Sequence, residues 1–469
     1  MKTRTADICV IGAGSAGLTV AAAAANFGHD VVLIERHKMG GDCLNYGCVP
    51  SKSLIAAAKH AAFARDGARF GIHAEPTVDF SAVHNHVHGV VAAIAPHDSE
   101  ERFEGLGVTV ISGHARVVDG GTVEVDGTRI TAKRFVIATG SRPVVPPIEG
   151  LADVDPLTNE SVFDLTALPA SLAVVGGGPI GCELGQAFAR LGAKVTIATD
   201  AAILPREDPD ASAVVRKHLE ADGVTLLENA AVEKVSRTDR GVVLTLQGGH
   251  QVEAERVLVA VGRAPNVEDM GLDTAGVETT RAGVTVDKGL RTSNRRIFAI
   301  GDVTGGLQFT HVAGYQASLA VRAIVFRLPV SYDPDLMPRA TFTSPEVAQV
   351  GLTLEAARAR YGKADAYTAP LSGNDRAQAE GETDGFLRLI TRGGGKLVGA
   401  TIVAPNAGDL ISTYAMALAG KVPLKTIASF TPAYPTIAEA GKRAAVSHFG
   451  ERLDKGWIRS VLRMLKLLP

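Results

Sequence analysis

Cys43 and Cys48 lie in the run Gly40-Gly41-Asp42-Cys43-Leu44-Asn45-Tyr46-Gly47-Cys48-Val49-Pro50-Ser51-Lys52, two thiols spaced to cycle between dithiol and disulfide. The spacing places both at the start of a helix, where a slightly opened first turn lets them bridge. A helix N-terminus stabilises a thiolate, because its unpaired N–H groups and its dipole both favour negative charge. The surrounding glycines allow backbone to approach a ligand closely, which a structural staple has no use for. A redox role is therefore favoured over inert packing. About thirty residues upstream stands Gly12-Ala13-Gly14-Ser15-Ala16-Gly17, a dinucleotide-binding pattern.

A strand–turn–helix–strand unit carries that pattern. Ile8-Cys9-Val10-Ile11 reads as a buried strand, Leu18 to Asn26 as a helix, and Val31-Val32-Leu33-Ile34 as a strand ending on Glu35. Gly12, Gly14 and Gly17 permit a tight turn, close approach to a pyrophosphate and close helix–strand packing; Glu35 is placed to accept from a ribose. The unit recurs as Leu172-Ala173-Val174-Val175, the glycines Gly176, Gly178 and Gly181, a helix to Leu191, and Lys194-Val195-Thr196-Ile197. Here the strand ends on Thr199 and Asp200. A neutral Thr199 removes the strict acidic partner, and Asp200 repels a 2′-phosphate, so NADH is slightly favoured and NADPH stays open. Two strand-to-turn segments close the units, one with Thr139 and Gly140, the other with Gly262 and Arg263. A third, Ile297 to Asp302, begins the return to the first domain, and Asp302 suits a hydrogen bond to a polyol. The pattern changes again from about Pro338.

At 469 residues the chain is too long for one core. A net charge of −2 gives no electrostatic case for nucleic acid. Four cysteines are too few for a secreted disulfide framework; Cys9 and Cys182 read as packing residues. A redox pair in a cysteine-poor chain suits a reducing cytosol, so a cytoplasmic location is expected. No signal peptide and no bilayer-spanning run is read.

The order of these motifs resembles the FAD-dependent pyridine nucleotide–disulfide oxidoreductases, the family of lipoamide dehydrogenase, glutathione reductase and mercuric reductase. It is closest in appearance to the mercuric reductase-like members through Arg206-Glu207-Asp208-Pro209 and Phe309-Thr310-His311-Val312-Ala313. The resemblance implies an α/β fold: two Rossmann-like dinucleotide-binding domains plus a C-terminal α+β dimerisation domain. The FAD-binding domain would take residues 1–150 and 271–337, the NAD(P)H-binding domain 151–270, the dimer interface 338–450, and an amphipathic tail 451–469. By the same resemblance Cys48 is the thiolate that forms a charge-transfer complex with the flavin, and Cys43 the interchange thiol. Lys52 pairs with Glu183 near the flavin, and His311 lies close to it.

One position departs from the family pattern. In Pro432-Ala433-Tyr434-Pro435-Thr436-Ile437-Ala438-Glu439, Glu439 matches the family glutamate, but Tyr434 stands where a histidine is expected. Histidine titrates near ~6.5 and tyrosine near ~10, so Tyr434 is a poor proton shuttle at neutral pH. Glutathione and lipoamide are thereby disfavoured. Mercury handling is weakened too, because no cysteine follows Cys182. The expected acceptor is a metal ion, a quinone or a small oxidant. Two other readings stand open: an NAD(P)H oxidase or quinone reductase using the flavin directly, and a redox-sensing interaction protein.

His84 and His88 share a helix face at a workable metal-ligand spacing if Ser81 to Ile94 is helical, with His86 pointing away; a solvated face is the favoured reading. The tail Lys455 to Leu468 reads as a short amphipathic helix, with Trp457, Val461, Met464 and Leu468 opposite Lys455, Arg459, Arg463 and Lys466. It suits an anionic membrane surface or docking on its own dimer.

Overall fold

The computed structural model describes residues 2–453 and 456–466. The chain divides into two compact units, Met1–Asp200 with Leu227–Pro334, and Ala201–Leu226 with Asp335–Pro469.

In the first unit β1 (Lys2–Ile11) leads into α1 (Ser15–Asn26) and β2 (Val31–Glu35); with β3 (Thr109–Ser112) and β4 (Thr128–Ile137) they run parallel in the order β3-β2-β1-β4, and the sheet continues past β4 through the antiparallel strands Thr122–Val125 and Arg116–Asp119. The short strand Ile297–Ala299 joins β4 in parallel. β1 is apolar without alternation towards its end because both faces are covered. Ile8 and Val10 pack with Ala21 and Ala24 of α1, whereas Cys9 and Ile11 pack with Val123 and Ile130 on the other side. The strand starts earlier than its apolar run, since Lys2 to Ala6 pair with Thr128 to Ala132.

After β2 come α2 (Gly41–Asn45), α3 (Cys48–Asp66) and α4 (Phe80–Ile94), whose cap Asp79 accepts from Ala82 N–H, and then a short helix, Glu100–Gly105. The second nucleotide unit repeats the first. β5 (Ser171–Val175), α5 (Pro179–Leu191), β6 (Lys194–Ala198) and β7 (Arg256–Val259) form a parallel β6-β5-β7 sheet. An antiparallel sheet, Val232–Thr238, Gly241–Leu246 and Gln251–Ala254, covers it, with Leu244 and Val252 packed on Ala173 and Val175. Helix α6 (Thr310–Ile324) then returns to α1 through Ala317 and Ala320.

The second unit is an antiparallel sheet of β8 (Arg339–Thr341), β9 (Glu346–Gly351), β10 (Ala364–Pro370), β11 (Phe386–Arg392) and β12 (Lys396–Ala404), ordered β8-β9-β12-β11-β10. Helices α7 (Ala407–Ala419) and α8 (Glu439–Leu453) supply Ile411, Tyr414, Ala440 and Ala444 to its core. The helix Pro209–Ala221 belongs to this unit as well: Arg388 pairs with Asp208 at 2.6 Å and Asp210 at 2.7 Å, and Arg339 with Glu207 at 3.0 Å. Last comes α9 (Gly456–Leu465). Lys455 and Leu468, read as tail positions, lie outside the described residues. No helix among the described residues is long and apolar enough to cross a membrane.

Candidate active site

The two glycine turns have the same construction. Gly12 has φ +104°, and a Cβ there would meet Ala138 O at 2.4 Å; Gly176 has φ +116°, and its Cβ would meet Ala260 O at 2.5 Å. A Cβ at Gly17 would fall 1.8 Å from Gly12 O, and one at Gly181 2.0 Å from Gly176 O. These four positions are closed by the protein itself. The middle glycines are open: Gly14 would meet only Gly41 Cα at 3.9 Å, and Gly178 nothing within 4 Å. Each turn therefore presents bare backbone at a helix N-terminus, the geometry that receives a phosphate.

The strand ends differ. Glu35 accepts from Ala13 N–H (2.6 Å) and from His37 N–H (2.8 Å), which fixes its carboxylate and leaves lone pairs for a ribose. It lines a cleft with Gly12, His114, Thr139, Asn266 and Glu268. Thr139 and Asn266 lock together, Thr139 donating to Asn266 O at 2.7 Å and Asn266 Nδ2 to Thr139 O at 2.9 Å. Gly140 (φ +69°) and Gly262 (φ +141°) turn the chain after their strands. Thr199 is buried, its Cγ2 3.0 Å from where a Cβ on Gly177 would lie, and Asp200 is exposed.

The cysteines do not share one helix, a correction to the reading of a single helix start. Cys43 sits within α2, and Cys48 is the first residue of α3. The break falls at Tyr46 and Gly47, where the chain doubles back so tightly that a Cβ on Gly47 would meet Asp42 Oδ2 at 2.8 Å and Cys43 Cα at 3.3 Å. Both thiols are free. Cys48 is lowered to about 6, first by a hydrogen bond from the Cys43 thiol, then by Thr310 and the Lys52 charge, against burial and Asp42. Cys43 is raised, because it keeps its proton for Cys48 and is partly buried. The two titrate as a unit, one proton shared towards a Cys48 thiolate. Thr310 Oγ1, 3.3 Å from Cys48 Sγ, opens α6, so that helix N-terminus also faces the sulfur. Cys9 and Cys182 are buried, and burial pushes each up to about 12.

Lys52 Nζ lies 2.8 Å from Glu183 Oε2 and donates to Ser51 Oγ at 3.3 Å. Glu183 is buried on α5, which packs on α3. Ser141 donates to Asp302 Oδ2 at 2.6 Å, and burial raises the Asp302 carboxyl against that bond and the Arg263 charge. Arg263 donates to Ser141 Oγ (2.8 Å) and O (2.9 Å) and reaches Asp42 at 3.0 Å. His311 follows Thr310 in the first turn of α6; its ring is exposed and stacks on Phe309 with centroids 5.4 Å apart.

In the second unit Tyr434 is exposed and donates to Asp375 Oδ2 at 3.1 Å, which raises its phenol. Glu439 begins α8 with Oε2 buried and unpaired. His84 and His88 share a face of α4, rings 4.2 Å apart, but His88 Nε2 already meets Phe163 O at 3.1 Å. No group of three or more metal-ligating side chains occurs among the described residues. Thr310, Ser141, Asn159 and Asp42 were missed as site residues; an acid beside Cys43 was the one available signal.

Residues 6–317 match the family described as pyridine nucleotide-disulphide oxidoreductase, and residues 337–445 match its dimerisation domain. The chain is 38% identical over 452 residues to a mercuric reductase of Streptomyces lividans, covering 94% of this chain and 95% of the relative. It is 36% identical over 450 residues to a dihydrolipoyl dehydrogenase of Geobacillus stearothermophilus, with coverage of 94% and 95%. Among solved structures it is similar to LpdA from Mycobacterium tuberculosis (TM-score 0.87, 29% identity, 96% of this chain, 100% of that one). A Cu(II) complex of the HOCl-induced flavoprotein disulfide reductase RclA from Escherichia coli follows (TM-score 0.85, 28% identity, 95% and 99%).

Proposed function

This chain belongs to the pyridine nucleotide-disulphide oxidoreductases, and from that premise we propose that it passes electrons from NAD(P)H through FAD to the Cys43–Cys48 pair and on to a metal ion, a quinone or a small oxidant. It is an FAD-dependent oxidoreductase, and the matched dimerisation domain supports a homodimer. The observation that carries the relay is the Cys48 sulfur held between the Cys43 thiol, Thr310 and the Lys52 charge.

The residues present fit FAD: the open backbone at Gly14, the fixed Glu35 carboxylate beside a cleft, and the partly buried Asp302 suit pyrophosphate, ribose and polyol in turn. Bound FAD would relay an electron pair between the nicotinamide and the cysteines. Glu183 holds Lys52, so its positive charge stays beside Cys48. Oxidation of the two thiols forms one S–S bond and releases two electrons and two protons. Cys43 holds the last of those protons against Cys48.

Tyr434 supports the choice of acceptor. Its phenol is spent on Asp375 and is raised further from neutrality, so it moves protons poorly for an organic disulfide. Among the relatives, one is named for mercuric ion and one was solved with Cu(II), which favours a metal ion within the set. Exposed Asp200 supports NADH over NADPH. Turnover of a Cys43→Ser, Cys48→Ser double variant tests the relay. Loss with metal ions and quinones agrees with it; full rates point to the flavin used directly. Tyr434→His, with Glu439 at hand, should raise lipoamide or glutathione reduction, by up to about 10²-fold. No gain with any disulfide removes Tyr434 as the determinant.

The tail supports peripheral contact with an anionic membrane. It lies beyond the matched dimerisation domain, carries four basic residues and no acid from Lys455 onward, and exposes Val461, Met464 and Leu465. Co-sedimentation with phosphatidylglycerol vesicles, reversed by salt and absent with phosphatidylcholine, is expected; no binding to either leaves the tail to the dimer.

A further inference from the structure

A carboxylate beside a redox thiol is an awkward choice, because its charge opposes the neighbouring thiolate. Asp42 is such a group, and its field acts to raise Cys48. Its surroundings show how the protein tolerates it. Asp42 Oδ1 accepts from Asn159 Nδ2 at 3.0 Å and lies 3.0 Å from an Arg263 terminal nitrogen. Asn159 also donates to Tyr46 O at 3.2 Å, and Tyr46 N–H donates to Asp42 O at 2.8 Å. Asp42 thus closes the loop between the two cysteines upon itself, and the absent side chain of Gly47 makes room for its carboxylate.

Arg263 stands more than two hundred residues away in sequence, on the strand Arg263–Pro265 that pairs with Ser141–Pro143. Its side chain is only 12% exposed. The guanidinium is held in place by Ser141, which also donates to Asp302. It therefore lies between two acids, Asp42 on the side of the thiols and Asp302 on the side of the polyol.

We propose that Arg263 is a positioning residue of the redox pair: it fixes and neutralises Asp42, so that this acid can clamp the cysteine loop without suppressing the Cys48 thiolate. The inference rests on the disulfide-relay reading. The other charges facing the pair are Lys52, itself paired with Glu183, and Asp302 behind Ser141. Asp302 carries the same sign as Asp42 and the two repel, so it is the Arg263 guanidinium, 3.0 Å from Asp42 Oδ1, that offsets the Asp42 charge.

The test is the pH dependence of iodoacetamide alkylation at Cys48 in the reduced protein, located by peptide mass spectrometry, with and without FAD. Wild type should be half-reactive near about 6. Arg263→Met should move that midpoint up by about one unit, roughly fivefold less thiolate at pH 6. Asp42→Asn keeps the hydrogen-bonding shape and should move it down, and the double variant should lose most of the Arg263→Met shift. Arg263→Lys keeps the charge and should stay near wild type. An unmoved midpoint in Arg263→Met, or a shift that Asp42→Asn does not reverse, overturns the proposal. Should Arg263→Met fail to fold, an Asp42→Asn midpoint that stays or rises overturns it equally. A wild-type Cys48 reactive only near pH 9 instead defeats the relay reading itself.

Discussion

The two dinucleotide units agree where backbone meets backbone and differ where a side chain meets a ligand. Gly12 and Gly176, and Gly17 and Gly181, face the same atoms of their own units at nearly the same distances. Beyond the turns, Glu35 is pinned by two N–H groups, whereas Thr199 folds against Gly177 and Asp200 stands in water. The shared part is dictated by covalent geometry: a helix cannot start that close to a strand with a Cβ in between. The variable part sets ligand choice. In the proposed reading the pinned Glu35 serves a ribose hydroxyl in the first nucleotide unit, and the exposed Asp200 gives the second a discrimination by charge.

The comparison is broken most severely at its closed glycines. Gly17→Ala and Gly181→Ala each put a Cβ within about 2 Å of a carbonyl oxygen, and each should cost about 3 kcal/mol or more. Thermal melts should fall for both, and the Gly17 variant should also purify without flavin. A next, smaller effect belongs to the open glycines. Gly14→Ala and Gly178→Ala should melt near wild type yet weaken their own ligand by roughly tenfold, because the new methyl occupies ligand space. Flavin retention and nicotinamide titration separate the two; a Gly178→Ala variant that unfolds contradicts the open-turn geometry.

Lys52→Met sharpens the link between the units, since it strands the buried Glu183 carboxylate. Part of the penalty is relieved by solvent around Lys52, so about 1–3 kcal/mol is expected, and Glu183→Gln should cost less. Urea melts of the two variants measure the order. The smallest effect is at Asp200: its replacement by Ser should raise the NADPH to NADH ratio of kcat/KM by about 2–5-fold, the worth of one exposed like charge. A ratio that stays put assigns nicotinamide choice elsewhere.

Much of this was legible because it repeats at short range. Glycine spacing, strand hydrophobicity and the terminal acid lie within one βαβ unit, so the two nucleotide units and the change of pattern near Pro338 could be read along the chain. The helix break between the cysteines was not, since Gly47 looks like one more flexible residue until its contact with Asp42 is seen. Thr310 and Arg263 act on residues 262 and 221 positions away in sequence. A single hydrogen bond across such a span leaves no periodic trace. Asp302 was marked by its own turn, but its tie to Arg263 through Ser141 needed the fold.

The most direct test is anaerobic titration of the flavin-loaded protein with NADH, watched at long wavelength. A thiolate–flavin band should grow in wild type, strengthen as pH rises through about 6, and be absent in Cys48→Ala. Simple flavin bleaching in the wild type, with no such band at any pH, would contradict a Cys43–Cys48 relay.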